Sequence, residues 1–167
     1  MTETILIAAV AEDGTIGVDN EIPWDYPSDM DFFAEKTTGH TVVMGRKTYE
    51  NVGKLPDRHN IVMSKSKSYD DVTVCKTLSE VTEEVRWMDE DKVFIAGGES
   101  IYEQFSDIAD KLLVTQIPGY YKGDSKFPML DPSAWKYSDS HIIGESKLVV
   151  SEYERNAVDD QKNRFYL

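Results

Sequence analysis

The chain predicts an α/β fold of a single domain: a mostly parallel, twisted central sheet with flanking helices and an antiparallel C-terminal hairpin. Three observations lead there. Ile5-Leu6-Ile7-Ala8-Ala9-Val10-Ala11 is a continuous apolar run rather than an alternating one, the pattern of a strand buried on both faces. Short apolar stretches then alternate with helix-like stretches as far as Ile117, which implies parallel strands joined by helices lying on both faces of a sheet. The last third instead holds two strand-like runs about a glycine turn. At 167 residues, 40% of them hydrophobic, the chain has the size of one compact domain and enough apolar mass for a core, so residues 1–167 are read as one domain.

The apolar run from Ile5 is the central strand. Residues 12–27 follow, with Gly14, Gly17, Pro23 and Pro27, a stretch long enough for a connection to read as a functional loop. Ser28 reads as a helix N-cap with Asp31 as its capping-box partner, and Met30, Phe33 and Ala34 supply an apolar stripe up to Gly39. Strands are expected over residues 41–44, 60–64, 72–75, 92–96 and 111–117, and helices over 47–52, 79–88 and 100–105. Residues 135–141 and 147–153 flank Gly144 as the hairpin. The tail 156–167 is polar until Phe165-Tyr166-Leu167, and its pattern assigns it no element.

Thirty-one acidic residues against 18 basic ones leave a formal charge of −13, which repels phosphate backbones and anionic headgroups, so neither nucleic acid nor membrane is an expected partner. Two readings of the acidity stay open, ordinary solubility charge and adaptation to high salt. Cys75 is the sole cysteine and has no disulfide partner within the chain. The three histidines, His40, His59 and His141, are scattered without neighbouring ligands, so no metal is expected and all three read as structural or surface residues. Cys75 has no activating partner and reads as a packed strand residue. The opening Met1-Thr2-Glu3 lacks the basic start of a signal peptide, and the first apolar run is too short to span a bilayer. A cytoplasmic setting is therefore expected.

Three strand-end segments carry anion-binding chemistry. Gly97-Gly98 follows one strand and opens a helix, where consecutive glycines let backbone N–H groups approach a diphosphate, although a simple tight turn has the same look. Gly45-Arg46-Lys47-Thr48 adds two cations and a hydroxyl at a similar junction; it lacks the glycine spacing of a kinase-type phosphate loop, and a solvated basic helix start is the plain alternative. Ser64-Lys65-Ser66-Lys67, in isolation a polar loop, follows a third buried strand. Their agreement in so acidic a chain points to one extended anionic ligand. Asp29 lies in the first turn of its helix among Trp24, Met30, Phe32 and Phe33, which sets apolar walls near a carboxylate; helix capping is the other reading.

The order of motifs resembles the dihydrofolate reductase family, including salt-adapted, haloarchaeal-like members. The matching segments are Ile7-Ala8-Ala9, Ile16-Gly17, Ile22-Pro23-Trp24, Pro27-Ser28-Asp29-Met30, Phe33, Val43 through Glu50, and Leu55-Pro56 with Arg58 and Asn60. Gly97-Gly98, Ile101-Tyr102 and Gly123-Asp124 through Phe127-Pro128 continue the series. The resemblance implies NADPH-dependent reduction of 7,8-dihydrofolate to tetrahydrofolate, in the service of one-carbon metabolism, by a monomer that also binds antifolate inhibitors. It implies a catalytic set of Asp29, Thr115, Trp24 and Ile22. In that set Asp29 holds the pterin and promotes protonation, Thr115 supports it, and Ile22 and Trp24 ride a mobile loop over the nicotinamide.

By the same resemblance Ile7, Met30, Phe33 and Leu55 wall the pterin and benzoyl groups, and Arg58 pairs with the α-carboxylate of the glutamyl tail. Arg46, Ser64 and Lys65 recognise the adenosine 2′-phosphate, with Lys47, Thr48, Gly97, Gly98 and Ser100 on the other phosphates. Ala9, Ile16, Gly17, Asn20, Gly45, Lys76, Ile101 and Tyr102 complete the implied cofactor set. The chain departs from the family pattern at Ile22, where many bacterial members carry methionine, at Ala96, usually a larger apolar residue, and at Glu99-Ser100, which replaces a glycine-arginine pair and removes one cation. Two rival readings are a pyrimidine reductase of riboflavin synthesis, against which the Asp29 helix argues, and a folate- or nucleotide-binding module without catalysis.

Overall fold

The structure, a computed structural model, describes residues 2–156. In chain order its elements are β1 (Glu3–Ala11), β2 (Thr15–Gly17), α1 (Pro27–Thr37), β3 (Thr41–Gly45), α2 (Arg46–Val52), β4 (His59–Met63), β5 (Thr73–Cys75) and α3 (Leu78–Met88). They continue with β6 (Lys92–Ile95), α4 (Glu99–Phe105), β7 (Lys111–Ile117), β8 (Ser125–Lys126), β9 (Trp135–Ile143) and β10 (Leu148–Arg155). Eight strands form one sheet in the order β5-β4-β3-β6-β1-β7-β10-β9. The six from β5 to β7 are parallel, and β10 and β9 are antiparallel to their neighbours. This is the predicted architecture, with β1 inside the sheet.

The apolar runs are continuous because each strand feeds two cores. Ile5 and Ile7 of β1 join Val42, Met44, Val62 and Phe94 beneath Phe32 of α1 and Tyr49 of α2. Leu6 and Ala8 face the other way, with Val43, Ile61 and Ile95, against Val81 and Val85 of α3 and Ile101, Tyr102 and Phe105 of α4. Two helices thus cover each face. Leu6 is 1% exposed, and burying such a side chain contributes about 1.5–3 kcal/mol.

Local differences from the expectation have physical causes. The Ser28 capping box does not form: α1 starts at Pro27, whose fixed φ and missing N–H suit the first helical position, so Tyr26 is the N-cap and Ser28 lies inside the first turn. A side-chain cap forms at α3, where the Thr77 hydroxyl accepts from the Glu80 N–H at 3.1 Å. The long connection 12–27 contains β2, which pairs antiparallel with β8; strands of three and two residues show no readable alternation. His40 and His59 do have acidic neighbours, contrary to expectation. His40 Nδ1 lies 3.7 Å from Asp91 Oδ1, and His59 Nε2 lies 4.0 Å from Glu84 Oε1. The first contact follows from the sheet, because His40 and Asp91 immediately precede the adjacent parallel strands β3 and β6.

Cys75 is buried in β5, where burial and the charges of Glu84 and Glu80 push its thiol up to about 11. No helix among the described residues is long and apolar enough to cross a membrane. The tail beyond Asn156 lies outside the described residues.

Candidate active site

The parallel strands all end at one edge of the sheet, where loops gather side chains from distant parts of the chain. Asp29, on the first turn of α1, is partly buried there, and burial raises its carboxyl above the ordinary carboxylate range while a hydrogen bond with the Thr115 side chain pulls it down. Thr115 is 2% exposed in β7. The Tyr102 hydroxyl donates to the Ile7 carbonyl at 2.8 Å, and burial, then the nearby Asp29 charge, push that phenol upward. Asp29, Thr115, Ile7 and Tyr102 therefore meet in one place, although they come from α1, β7, β1 and α4.

The surrounding walls divide. Ile7, Phe32, Phe33, Leu55 and Ala96 belong to a single apolar cluster. Trp24 does not join Phe32 and Phe33; it packs with Ala9 against Ala11 and Ile117, and its ring meets Tyr121 edge-on at 5.1 Å. Met30 is 68% exposed and Ile22 59%, so both present apolar surface to solvent beside the site. Arg58 is held by donating to the Pro56 carbonyl at 2.9 Å and to Thr37 Oγ1 at 3.0 Å, with its guanidinium 5.9 Å from the Phe33 ring centroid. Burial lowers it from its ordinary value while Asp57 opposes that shift.

Some positioning roles have no expectation in the sequence, although Asn60 and Asp124 stand in segments that match the family. The Asn60 amide accepts from Leu55 N and donates to the carbonyls of Leu55 and Arg58, at 2.8–2.9 Å, and so fixes the loop that presents both residues. Asp13 tethers the 12–26 loop to the 119–124 segment: burial pushes its carboxyl up, but hydrogen bonds from Lys122, Thr15 and Tyr121 hold it well below the usual range. Asp124 accepts from the Asp19 N–H at 3.2 Å. Only the Asx-rich composition of these turns hints at such roles.

On the other side of the sheet edge the two glycine turns touch, the Gly45 N–H donating to the Gly97 carbonyl at 2.8 Å. A Cβ on Gly45 would stand 3.0 Å from Ile101 Cγ1, and one on Gly97, whose φ is +110°, 3.2 Å from Tyr102. The Gly97–Gly98 peptide is cis, a feature without a signature in the sequence. Beside these turns lies a cavity of ≈ 310 Å³ lined by Arg46, Lys65 and Lys76, by the hydroxyls of Ser64, Ser66 and Ser100, and by Ile101.

Arg46 is also engaged by Glu50, at 3.3 Å, which takes Lys67 at 3.1 Å and the Tyr69 hydroxyl at 2.7 Å. Those contacts, the Tyr69 hydrogen bond foremost, hold the Glu50 carboxyl down near 2. Lys47 is exposed and Thr48 partly buried; neither lines the cavity, though Thr48 Oγ1 would stand 3.7 Å from a Cβ on Gly98. Ile16 and Gly17 lie in β2, and Asn20 is exposed at φ +65° with its carbonyl accepting from Asn51 Nδ2 at 3.0 Å.

Comparison with known proteins agrees with this geometry. The family model described as dihydrofolate reductase matches residues 3–155. The chain is 34% identical to the dihydrofolate reductase of Buchnera aphidicola, over 97% of this chain and 92% of that one, and 36% identical to that of Bacillus subtilis, over 80% of each. It is 32% identical to dihydrofolate reductase HdrB of Haloferax volcanii, over 94% of this chain and 87% of that one. The solved structure of dihydrofolate reductase from Enterococcus faecalis, complexed with NADP(H) and RAB-propyl, superposes with a TM-score of 0.81 at 30% identity, over 92% of this chain and 96% of that one. A family match that runs from β1 to the end of β10, together with the structural superposition, makes this chain a member of the dihydrofolate reductase family.

Proposed function

We propose that this protein reduces 7,8-dihydrofolate to 5,6,7,8-tetrahydrofolate with NADPH. The observation that carries the reading is Asp29, a carboxyl raised by burial and bonded to Thr115 at the edge of an apolar cluster, on the same sheet edge as the double glycine turn. The residues fit the cofactor by their donor chemistry. Arg46, Lys65 and Lys76 around one cavity match a nucleotide with an additional phosphate, and the absence of side chains at Gly97 and Gly98 lets a diphosphate approach the backbone of that turn. When bound, NADPH supplies the hydride that C6 of the pterin receives.

The chain's own residues do the rest. Asp29, with its raised pKa, holds the pterin amino group and N3 and sustains delivery of a proton to N5. Thr115 orients that carboxyl. Ile7, Phe33 and Leu55 supply the flat apolar walls, with Met30 at the rim, and Arg58 pairs with the glutamyl α-carboxylate in the bidentate fashion of a guanidinium. Ile22 and Trp24 lie on the 12–26 segment, which closes over the reacting rings and excludes water. Ala9, Ile16, Gly17 and Asn20 border the nicotinamide on that side. Lys47, Thr48, Ile101 and Tyr102 contribute from the two helices that follow the glycine turns.

The reading further takes the protein as a cytoplasmic monomer of one domain that binds antifolates and neither nucleic acid nor membrane. Its support is the continuous eight-stranded sheet, the lone buried thiol and a charge of −13. The direct test follows absorbance at 340 nm after dihydrofolate and NADPH are mixed with the protein. Loss of absorbance that needs both substrates is expected. Binding of either ligand without turnover would mark a non-catalytic module, and turnover of a pyrimidine substrate alone would move the protein to the riboflavin branch.

A further inference from the structure

At the opposite edge of the sheet from the active site, we infer that His40, Glu90 and Asp91 form a binding site for one divalent cation of the zinc class. His40 sits in the turn between α1 and β3, and the two acids lie in the turn between α3 and β6. One donor atom from each of the three lies within 4.8 Å of the other two. The arrangement is built rather than incidental. The Glu90 carboxylate accepts from Thr41 Oγ1 at 2.9 Å, and its carbonyl accepts from Thr2 Oγ1 at 2.6 Å. The Asp91 carbonyl accepts from the Glu3 N–H at 2.8 Å, and the backbone of His40 is fixed on both sides, its N–H on Thr37 and its carbonyl on the His59 N–H.

A second, independent observation points to a ligand. His40 Nδ1 is buried and has no hydrogen-bond partner, although the ring as a whole is 28% exposed and packs against Phe94 with centroids 5.6 Å apart. An imidazole nitrogen that is buried without a hydrogen bond, 3.7 Å from one carboxylate and close to a second, has the composition of a metal site that wants one more atom.

The chemistry selects the ion. One imidazole nitrogen and two carboxylates form a borderline donor set that suits Zn²⁺ or Co²⁺ better than the all-oxygen shells preferred by Mg²⁺ and Ca²⁺. A tetrahedral ion with bonds of about 2.0–2.2 Å spaces its ligands about 3.3–3.6 Å apart. His40 and Asp91 are already at 3.7 Å, and Asp91, with 79% of its side chain exposed, is free to turn the remaining distance. Two carboxylates neutralise the ion, and the −13 field of the chain draws it in. The fourth position faces solvent and takes water. Bound there, the ion ties the starts of two adjacent parallel strands, β3 and β6, and acts as a staple far from the chemistry.

The test is calorimetric titration of the full chain with ZnCl₂ in a non-chelating buffer, paired with thermal melts with and without the metal. One equivalent of Zn²⁺ is expected to bind and to raise the melting temperature. Co²⁺ should bind without a thiolate charge-transfer band, which separates this site from Cys75. His40→Asn and Asp91→Asn should each weaken binding about tenfold or more, while His59→Asn leaves it unchanged. Asp91→Asn lies at the surface and keeps the test valid should His40→Asn fold poorly. Absence of stoichiometric binding, or affinity indifferent to both substitutions as diffuse attraction to surface acids would give, overturns the proposal.

Discussion

The two halves of the active-site edge solve opposite problems. On the α1 side a single carboxyl, Asp29, is set against apolar walls, and its partner Thr115 is almost wholly buried. On the α4 side Arg46, Lys65, Lys76 and three serines line an open cavity together with Met63 and Ile101, with Glu50 balancing part of the charge. In the proposed mechanism the first half rests its chemistry on one group, the Asp29 carboxyl. In the second, as proposed, a phosphate's charge would be shared among several donors, each partly redundant. Substitutions should therefore act steeply on one side and gradually on the other.

Asp29→Asn is the severest test of that contrast. Loss of acid assistance costs about 10²–10⁴ in rate, so turnover at pH 7 should fall by that range while the variant keeps its fold, as read by circular dichroism and steady-state kinetics. Arg58→Leu comes next. Removing a charge-assisted partner of about 1.5–3 kcal/mol should raise the Michaelis constant for dihydrofolate roughly ten- to hundred-fold and leave kcat little changed. Replacing Arg46 and Lys65 together by alanine should weaken NADPH by about tenfold or more, each single change doing less, while NADH is nearly unaffected. Equal losses for both cofactors would assign these cations to the fold or the diphosphate instead.

The smallest effect is the salt response. Carboxylate repulsion in a −13 chain is relieved as the Debye length falls from about 10 Å at 0.1 M to about 3 Å at 1 M, so melting temperature should climb with potassium chloride. The same screening should raise the Michaelis constant for NADPH. A flat or falling melt series removes the high-salt reading and leaves ordinary solubility charge.

Legibility in the sequence follows the same divide between pattern and contact. The inner strands of the main sheet were readable because Ile5–Ala11 and its counterparts carry short continuous apolar runs, the pattern of a doubly covered strand, whereas the exposed β9 and its partner β10 were readable from the glycine turn between them. The short pair β2 and β8 was not, since two or three residues carry no period. Pro27 displaced the expected cap at Ser28 because a fixed φ at the first helical position outweighs a hydroxyl one residue later.

At the site, Asp29 and the glycine turns could be singled out from residue type. The meeting of Asp29 with Thr115 and Tyr102 depends on strand order, which local pattern does not encode; family resemblance supplied the expectation for Thr115, whereas Tyr102 was expected only in the cofactor set. His40 illustrates the converse: its acidic neighbours come from a segment far along the chain and reach it only because β3 and β6 are adjacent.

In the proposed mechanism the raised carboxyl of Asp29 supports protonation of the pterin. That role is tested most directly by kcat/KM for dihydrofolate from pH 5 to 9 in the wild type and in Asp29→Asn. A group that works through its protonated form loses activity as pH rises through its pKa, and burial moves that point above the ordinary carboxylate value. The wild-type profile should therefore fall with increasing pH, and the variant should be low and lack that inflection. The same inflection in both proteins, or a variant with wild-type turnover at pH 7, contradicts the account.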